Sequence, residues 1–141
     1  MIRVVLDTNV VVSAALTRSG PSSAILELAD QGLIQLWISP AIFDEYKEIL
    51  GRLRVGVLPE RARRMLSGLQ RMGQFFAPTK TVSISPDADD NMVIECAEAA
   101  KAHYLVTGNI RHFPARWKYT KTVTPREFLN LWQLQKPMAD K

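Results

Sequence analysis

Acidic and amide side chains stand where short apolar runs of this sequence stop, which is where buried strands are expected to end. In a parallel sheet the carboxyl ends of the strands share one edge, and ligands of open α/β sheets bind there. Residues distant in the sequence are therefore predicted to become neighbours. The groups concerned are Asp7, the acids Asp87, Asp89 and Asp90, and the turn Thr107-Gly108-Asn109.

A further acid, Glu45, is predicted to reach the same edge from a helix. Ser39-Pro40 is a good helix start, with a hydroxyl cap followed by proline in the first turn. The apolar stripe of this helix is Ile42, Tyr46, Ile49 and Leu53. At about 100° per residue, Asp44 and Glu48 point away from this stripe, whereas Glu45 lies at its margin. A carboxylate at that margin is partly shielded and directed toward the sheet edge.

Carboxylates held close together repel one another and are costly to desolvate, and a divalent cation is the simplest remedy. Oxygen ligands select hard metals such as Mg²⁺ or Mn²⁺, and such a metal suits a phosphodiester substrate. Each acid alone also has a structural explanation. Asp89 and Asp90 could cap a helix, Asp7 could form a turn, and Glu45 could be a solvated helix residue. The metal hypothesis depends on their coincidence.

Strands and helices alternate along the chain. Apolar runs predict strands at residues 2–6, 33–38, 81–84, 104–106 and 122–123, and helical periodicity predicts helices at 24–31, 39–52, 59–76, 89–100 and 125–134. The segment 10–16 has no clear periodicity. This alternation predicts an α/β fold, a three-layer α/β/α arrangement around a central, mostly parallel sheet. We expect one domain over residues 1–135 and a flexible tail over 136–141.

Composition points to a globular protein of a reducing compartment, because 47% of the 141 residues are hydrophobic and there is one cysteine, Cys96. Cys96 lies on an apolar helix face and is interpreted as a core residue. His103 and His112 lack metal-ligand spacing and are interpreted as surface or packing residues. No apolar run reaches membrane-spanning length and no leader is evident, so we expect a cytoplasmic protein.

The net charge is +4, and the basic residues concentrate in two segments, 52–71 and 111–121. These segments could be solvated faces or could hold an RNA backbone. Trp117 lies between Arg116 and Lys118 and could stack an unpaired base, although packing in the protein interior is the favoured interpretation.

Four motifs and one helix acid together resemble a known family. They are residues 5–10 (Val-Leu-Asp-Thr-Asn-Val), Glu45, residues 86–97 (Pro-Asp-Ala-Asp-Asp-Asn-Met-Val-Ile-Glu-Cys-Ala), residues 104–109 (Tyr-Leu-Val-Thr-Gly-Asn) and residues 124–128 (Thr-Pro-Arg-Glu-Phe). In order and spacing the chain resembles the PIN-domain nucleases, and most closely the VapC-like toxin components of bacterial toxin–antitoxin systems.

The resemblance implies a PIN-like fold and a metal-dependent endoribonuclease, the toxin of a type II toxin–antitoxin system. A water activated by Mg²⁺ or Mn²⁺ would cleave RNA and leave a 5′-phosphate and a 3′-hydroxyl. It also implies a homodimer and an antitoxin protein as partner. Basic side chains would hold the RNA, with the candidates Arg61, Arg64, Arg111, Arg116 and Lys118.

The family's three principal metal-site acids match Asp7, Glu45 and Asp90. Asp90 is chosen over Asp89 because the apolar residues after it fit the family spacing. Thr8 and Asn9 match the motif that braces the first acid, and Asp87 and Thr107 are supporting candidates.

Asn109 departs from the family pattern, since many relatives carry an aspartate there. Its amide oxygen can still ligate a metal, but it adds no negative charge. The alternative is therefore a catalytically weakened PIN-like module that binds RNA or protein.

Overall fold

The computed structural model describes residues 1–52, 56–78 and 81–135. The strands are β1 (Arg3–Leu6), β2 (Gln35–Ile38), β3 (Gly73–Phe75), β4 (Tyr104–Val106), β5 (Arg116–Trp117) and β6 (Thr120–Val123). The helices are α1 (Thr8–Leu16), α2 (Pro21–Asp30), α3 (Pro40–Leu50), α4 (Pro59–Met72), α5 (Ala88–Ala100) and α6 (Pro125–Gln135), with a 3-10 turn at Ile110–His112.

The strands form one sheet in the order β3-β2-β1-β4-β6-β5. All neighbours pair in parallel except β5 and β6, which form an antiparallel hairpin. Leu6 is level with Val106, and Val106 with Val123, so these residues mark the carboxyl edge of the sheet. The predicted α/β fold with a mostly parallel sheet is confirmed.

Helices cover both faces of the sheet. Consecutive side chains of a strand point to opposite faces, yet Val4, Val5 and Leu6 are all at most 2% exposed. Helix α5 packs against β1, β2 and β4, and α6 packs against β4 and β6. Cys96 is buried in this core, as predicted, and burial raises the pKa of its thiol to about 12.

The third strand does not lie where the sequence predicts it. Residues 81–84 form no strand, and the strand beside β2 is Gly73–Phe75, inside the segment predicted to end a helix at residue 76. A Cβ on Gly73 would lie 2.8 Å from the backbone oxygen of Leu69, which cannot move aside as a side chain can, so only glycine fits where the chain enters the sheet. The segment 81–85, which precedes α5, is held by side chains of that helix and not by a neighbouring strand. Val82 N–H donates to Glu95, and Ser85 N–H donates to Asn91.

Two further elements differ from the prediction. Helix α1 begins at Thr8, and its buried residues Val10, Val11, Ala14 and Ala15 share one face. Its other side carries the apolar residues Val12 and Leu16, which hide the helical periodicity of its sequence. The hairpin partner β5 is only two residues long, too short for a sequence pattern. The expected tail at 136–141, Leu53 of the predicted apolar stripe and Arg54 of the basic segment lie outside the described residues. No helix in the described part of the chain is long and apolar enough to cross a membrane.

Candidate active site

Asp7 occupies the centre of the carboxyl edge. It follows β1 directly, and its N–H donates to Val106 O at 2.9 Å, which continues the pairing with β4. Its side chain caps α1, with Thr8 N–H donating to Oδ1 at 2.8 Å, and the Thr107 hydroxyl donates to Oδ2 at 2.7 Å. One oxygen of this buried carboxylate is therefore fixed by the start of α1, and the other by the residue that follows β4.

Glu45 is linked to Asp7 through Thr8. The Thr8 hydroxyl donates to Glu45 Oε2 at 2.9 Å, while the Thr8 N–H contacts Asp7. The next residue, Tyr46, is fully buried, and its hydroxyl donates to Leu6 O at 2.5 Å, which fixes α3 against the end of β1. As predicted, Glu45 is half-buried, whereas its neighbour Asp44 is exposed.

The acids that open α5 reach this edge from two sides. Asp87, rather than Asp89 or Asp90, caps the helix, with extended φ and ψ angles and its Oδ1 accepting Asp89 N–H at 2.8 Å. Asp89 lies beside Glu45 and lines the same cavity, so that the two carboxyl groups can share one proton. Asp90 interacts electrostatically with Asp7, and its Oδ2 is 3.9 Å from His112 Nδ1.

The turn after β4 completes the edge. Asn9 Oδ1 accepts Gly108 N–H at 3.1 Å, and Thr107 Oγ1 accepts Asn109 N–H at 3.0 Å. Asn109 itself is exposed. Thr8, Asn9 and Thr107 thus hold the segments around Asp7 together.

Folding raises the pKa of all three principal acids. Burial is the largest cause for Asp7 and for Asp90. Burial, then the hydrogen bond to Asp89, and then the charges of Asp89 and Asp7 raise the pKa of Glu45 to about 7. Holding these negative charges close together therefore costs free energy, and the charge of Asp7 contributes to the raised pKa of both Glu45 and Asp90.

The chemistry of the donor set fits a hard divalent cation, because it consists of carboxylate oxygens whose charges repel. In the arrangement observed, no group of three or more Asp, Glu, His or Cys side chains among the described residues could hold a metal ion. Each hydrogen bond uses one lone pair of a carboxylate oxygen and leaves another for a ligand. Metal binding would consequently require side-chain rotation within the cluster.

The basic candidates of α4 lie in a separate groove. Arg61 and Arg64 line a cavity of about 360 Å³ between α2 and α4, together with Arg18 and Arg71. Arg64 is also 3.9 Å from Glu60 of its own helix. None of the three principal acids lines this groove.

The other basic candidates divide between the two ends of the sheet. Lys118 lies in the β5–β6 turn, at the amino edge, where its Nζ is 2.8 Å from Glu98 Oε1. Trp117 Nε1 donates to the same oxygen at 3.0 Å, which agrees with the packing role favoured for Trp117. Arg116 lies opposite Lys121 in the hairpin, whereas exposed Arg111 lies in the turn that follows Asn109.

Two residues at the carboxyl edge were not among the predicted site residues. Asp89 was weighed against Asp90, and the structure brings it to Glu45 while Asp90 faces His112. His112 was interpreted as a surface or packing residue, and it lies beside Asp90. Its position three residues after Asn109 was the only signal in the sequence.

Comparison with known proteins agrees with the fold. A solved structure with a similar fold is the VapBC2 complex of Rickettsia felis bound to a promoter DNA fragment, with a TM-score of 0.61, 18% identity, and coverage of 87% of this chain and 98% of that chain. An uncharacterized protein of Methanocaldococcus jannaschii is 29% identical over 140 residues, which covers 91% of this chain and 90% of the relative. The profile of the PIN domain family matches residues 3–111, from β1 to the turn after β4. The predicted family is confirmed: this chain belongs to the PIN domain family.

Proposed function

We propose that this chain is a divalent-metal-dependent endoribonuclease and the toxin of a type II toxin–antitoxin pair. The observation that carries the proposal is the coupling of three acids from separate elements. Asp7 is connected to Glu45 through Thr8 and interacts electrostatically with Asp90. Membership of the PIN domain family supports the same conclusion.

Asp7, Glu45 and Asp90 would hold Mg²⁺ or Mn²⁺, and the Asn109 amide oxygen would assist. When bound, the ion would lower the pKa of a water molecule and stabilise the negative charge that develops on the phosphate. Thr8 and Thr107 keep the Asp7 carboxylate in place during the reaction, because each donates to a different oxygen. Exposed Arg111, in the turn after Asn109, would orient the RNA backbone.

The toxin assignment is supported by the fold, since the similar structure from Rickettsia felis is a VapBC2 complex. We propose that this chain likewise binds a small antitoxin protein and forms a homodimer. Arg61, Arg64, Arg116 and Lys118 remain candidates for RNA contacts, although Lys118 is already paired with Glu98.

Cleavage of RNA by the purified chain tests the enzymatic proposal. Wild type and Asp7→Asn are compared with Mn²⁺, with Mg²⁺ and with EDTA. We expect cleavage by the wild type with metal only, with 5′-phosphate ends, and none by Asp7→Asn. Equal cleavage in every condition would indicate a contaminant or another mechanism and would reject the proposal.

The second candidate function is a non-catalytic module that binds RNA or protein, and the amide at Asn109 favours it. Asn109→Asp adds a negative charge at an exposed position of the same edge. Cleavage that appears only in Asn109→Asp would identify the natural chain as a weakened nuclease. Cleavage by both chains, with tighter Mn²⁺ binding by the variant, supports the enzyme.

A further inference from the structure

His112 lies beside the acids of the carboxyl edge without belonging to the predicted ligand set. Its Nδ1 is 3.9 Å from Asp90 Oδ2, and its side chain is 60% exposed while that of Asp90 is 13% exposed. The imidazole therefore lies on the solvent side of a mostly buried carboxylate.

The main chain places His112 firmly. Its N–H donates to Asn109 O at 3.0 Å, and the following residue, Phe113, is buried and donates to Ile110 O at 3.3 Å. Asn109 N–H in turn donates to Thr107, which contacts Asp7. Hydrogen bonds thus connect the turn that carries His112 to the centre of the acid cluster.

The position of His112 gives it an effect on two of the acids. Burial raises the pKa of Asp90, the charges of Asp87 and Asp7 add to this, and His112 opposes it. His112 also opposes the upward shift in the pKa of Asp7 that burial causes. At 3.9 Å the contact with Asp90 is longer than a hydrogen bond, and a small side-chain rotation would close it.

We propose that His112 is a positioning residue for Asp90: when the side chains of the cluster rotate to bind the divalent ion, His112 Nδ1–H donates to Asp90 Oδ2 and fixes the orientation of that carboxylate. This inference rests on the proposed function. Imidazolium and the neutral tautomer with its proton on Nδ1 both present this N–H, so the role needs no change of protonation state. Partners that orient metal ligands typically contribute about 10- to 100-fold to metal affinity or activity.

Amide substitutions can identify the nitrogen atom that acts. The amide nitrogen of Asn lies near the position of Nδ1 in histidine, and that of Gln lies near the position of Nε2. The experiment measures Mn²⁺ affinity by calorimetry and RNA cleavage kinetics for His112→Ala, His112→Asn and His112→Gln in the full chain. His103→Asn is the matched control, because it removes an imidazole at the amino edge and keeps an acceptor for Arg3 N–H.

We expect His112→Ala to weaken Mn²⁺ binding about 10-fold and to lower kcat similarly, with KM for RNA unchanged. His112→Asn should restore most of the Mn²⁺ affinity and most of kcat, whereas His112→Gln should restore little of either. His103→Asn should match the wild type. Far-ultraviolet circular dichroism checks that each variant is folded.

Unchanged Mn²⁺ affinity in His112→Ala would overturn the inference, and so would rescue by Gln but not by Asn, which would place the acting atom at Nε2. Mn²⁺ affinities that follow the expected order, in a wild type that cleaves no RNA, would support the positioning role and reject the nuclease. A cleaving wild type with an indistinguishable His112→Ala would reject the positioning role alone.

Discussion

The acids at the carboxyl edge and the arginines of α4 carry opposite charges and are held in different ways. The acids come from three elements, and their contacts join residues far apart in the sequence, such as Thr8 with Glu45 and Thr107 with Asp7. Folding raises the pKa of Asp7, Glu45 and Asp90, because it buries their charges beside one another.

The arginines of α4 remain largely in solvent. Arg63 and Arg64 pair with Glu60 one turn away, at 3.7 and 3.9 Å, and all three side chains are at least 67% exposed. Arg71 reaches Asp30 of α2 at 3.1 Å but is itself 66% exposed. Exposed pairs of this kind contribute little to stability, and their effect on a charged partner is screened by salt. The difference indicates that the chemistry depends on the acids, whereas the arginines adjust binding.

The largest difference between the two regions should appear in RNA cleavage by variants that each lack one charge. We expect Glu45→Gln or Asp90→Asn to lower RNA cleavage about 100-fold, because each would replace a charged carboxylate of the metal site by a neutral amide, which is a weaker ligand for a hard cation. Arg61→Ala or Arg64→Ala should change it only a few-fold at low salt, and less at high salt, because a phosphate contact is screened. Cleavage rates at two salt concentrations measure both effects.

The matched control for Glu45→Gln is Asp44→Asn, since Asp44 is exposed on the same helix and pairs with Lys47. It should leave cleavage unchanged. Equal losses in the arginine and acid variants would contradict the division between the two regions.

The free energy of unfolding should also depend more on contacts at the carboxyl edge than on the arginines of α4, although the difference is smaller than that in cleavage. Tyr46→Phe removes the hydroxyl that donates to Leu6 O and leaves a buried carbonyl without this partner, so it should lower the free energy of unfolding by about 1–3 kcal/mol. Arg71→Ala should cost less than about 1 kcal/mol. Urea unfolding measures both changes.

Tyr119→Phe is the control for Tyr46→Phe, because Tyr119 is 69% exposed. It should have the stability of the wild type. An Arg71→Ala variant that loses more stability than Tyr46→Phe would show that the groove, and not the carboxyl edge, is the more tightly coupled region.

The pH dependence of stability should give the smallest effect. The pKa of Glu45 is about 7 in the folded chain, above its ordinary value of 4.5, so the folded state binds this proton more tightly than the unfolded state. Stability from this group is complete below pH 4.5 and is lost as pH rises through about 7. Thermal unfolding of the metal-free chain between pH 5 and 8 should show a smaller decline for Glu45→Gln than for the wild type.

Glu48→Gln is the control here, since Glu48 is an exposed acid on the same helix and pairs with Arg52. It should retain the wild-type decline, and added Mn²⁺ should reduce the decline more in the wild type than in Glu45→Gln if Glu45 binds the metal. A decline that is identical in Glu45→Gln would mean that Asp7 and Asp90, whose pKa values are also raised, account for it.

Sequence reasoning succeeded where a local pattern reflects burial. Tyr46 and Ile42 are buried and Glu45 lies at the margin of their stripe, as helical periodicity predicted. It failed at residues 81–84, where an apolar run pairs with side chains of α5 instead of forming a strand. An alternation of apolar and polar residues cannot distinguish a strand of the sheet from an extended segment that lies against a helix. It indicates which side of a segment is buried, but not which element covers that side.

The sequence by itself determined that an acid follows β1, that the turn Thr107-Gly108-Asn109 follows β4 and that acids open α5. Parallel strands separated by helices bring these positions to one edge of the sheet. Only the tertiary structure decided which groups meet there: Thr8 bridges Asp7 and Glu45, Asp89 turns to Glu45, and His112 lies beside Asp90. It also decided that Lys118 pairs with Glu98 at the opposite edge. Such contacts depend on strand order, register and side-chain rotamers across the whole fold, and no pattern within a single segment specifies them.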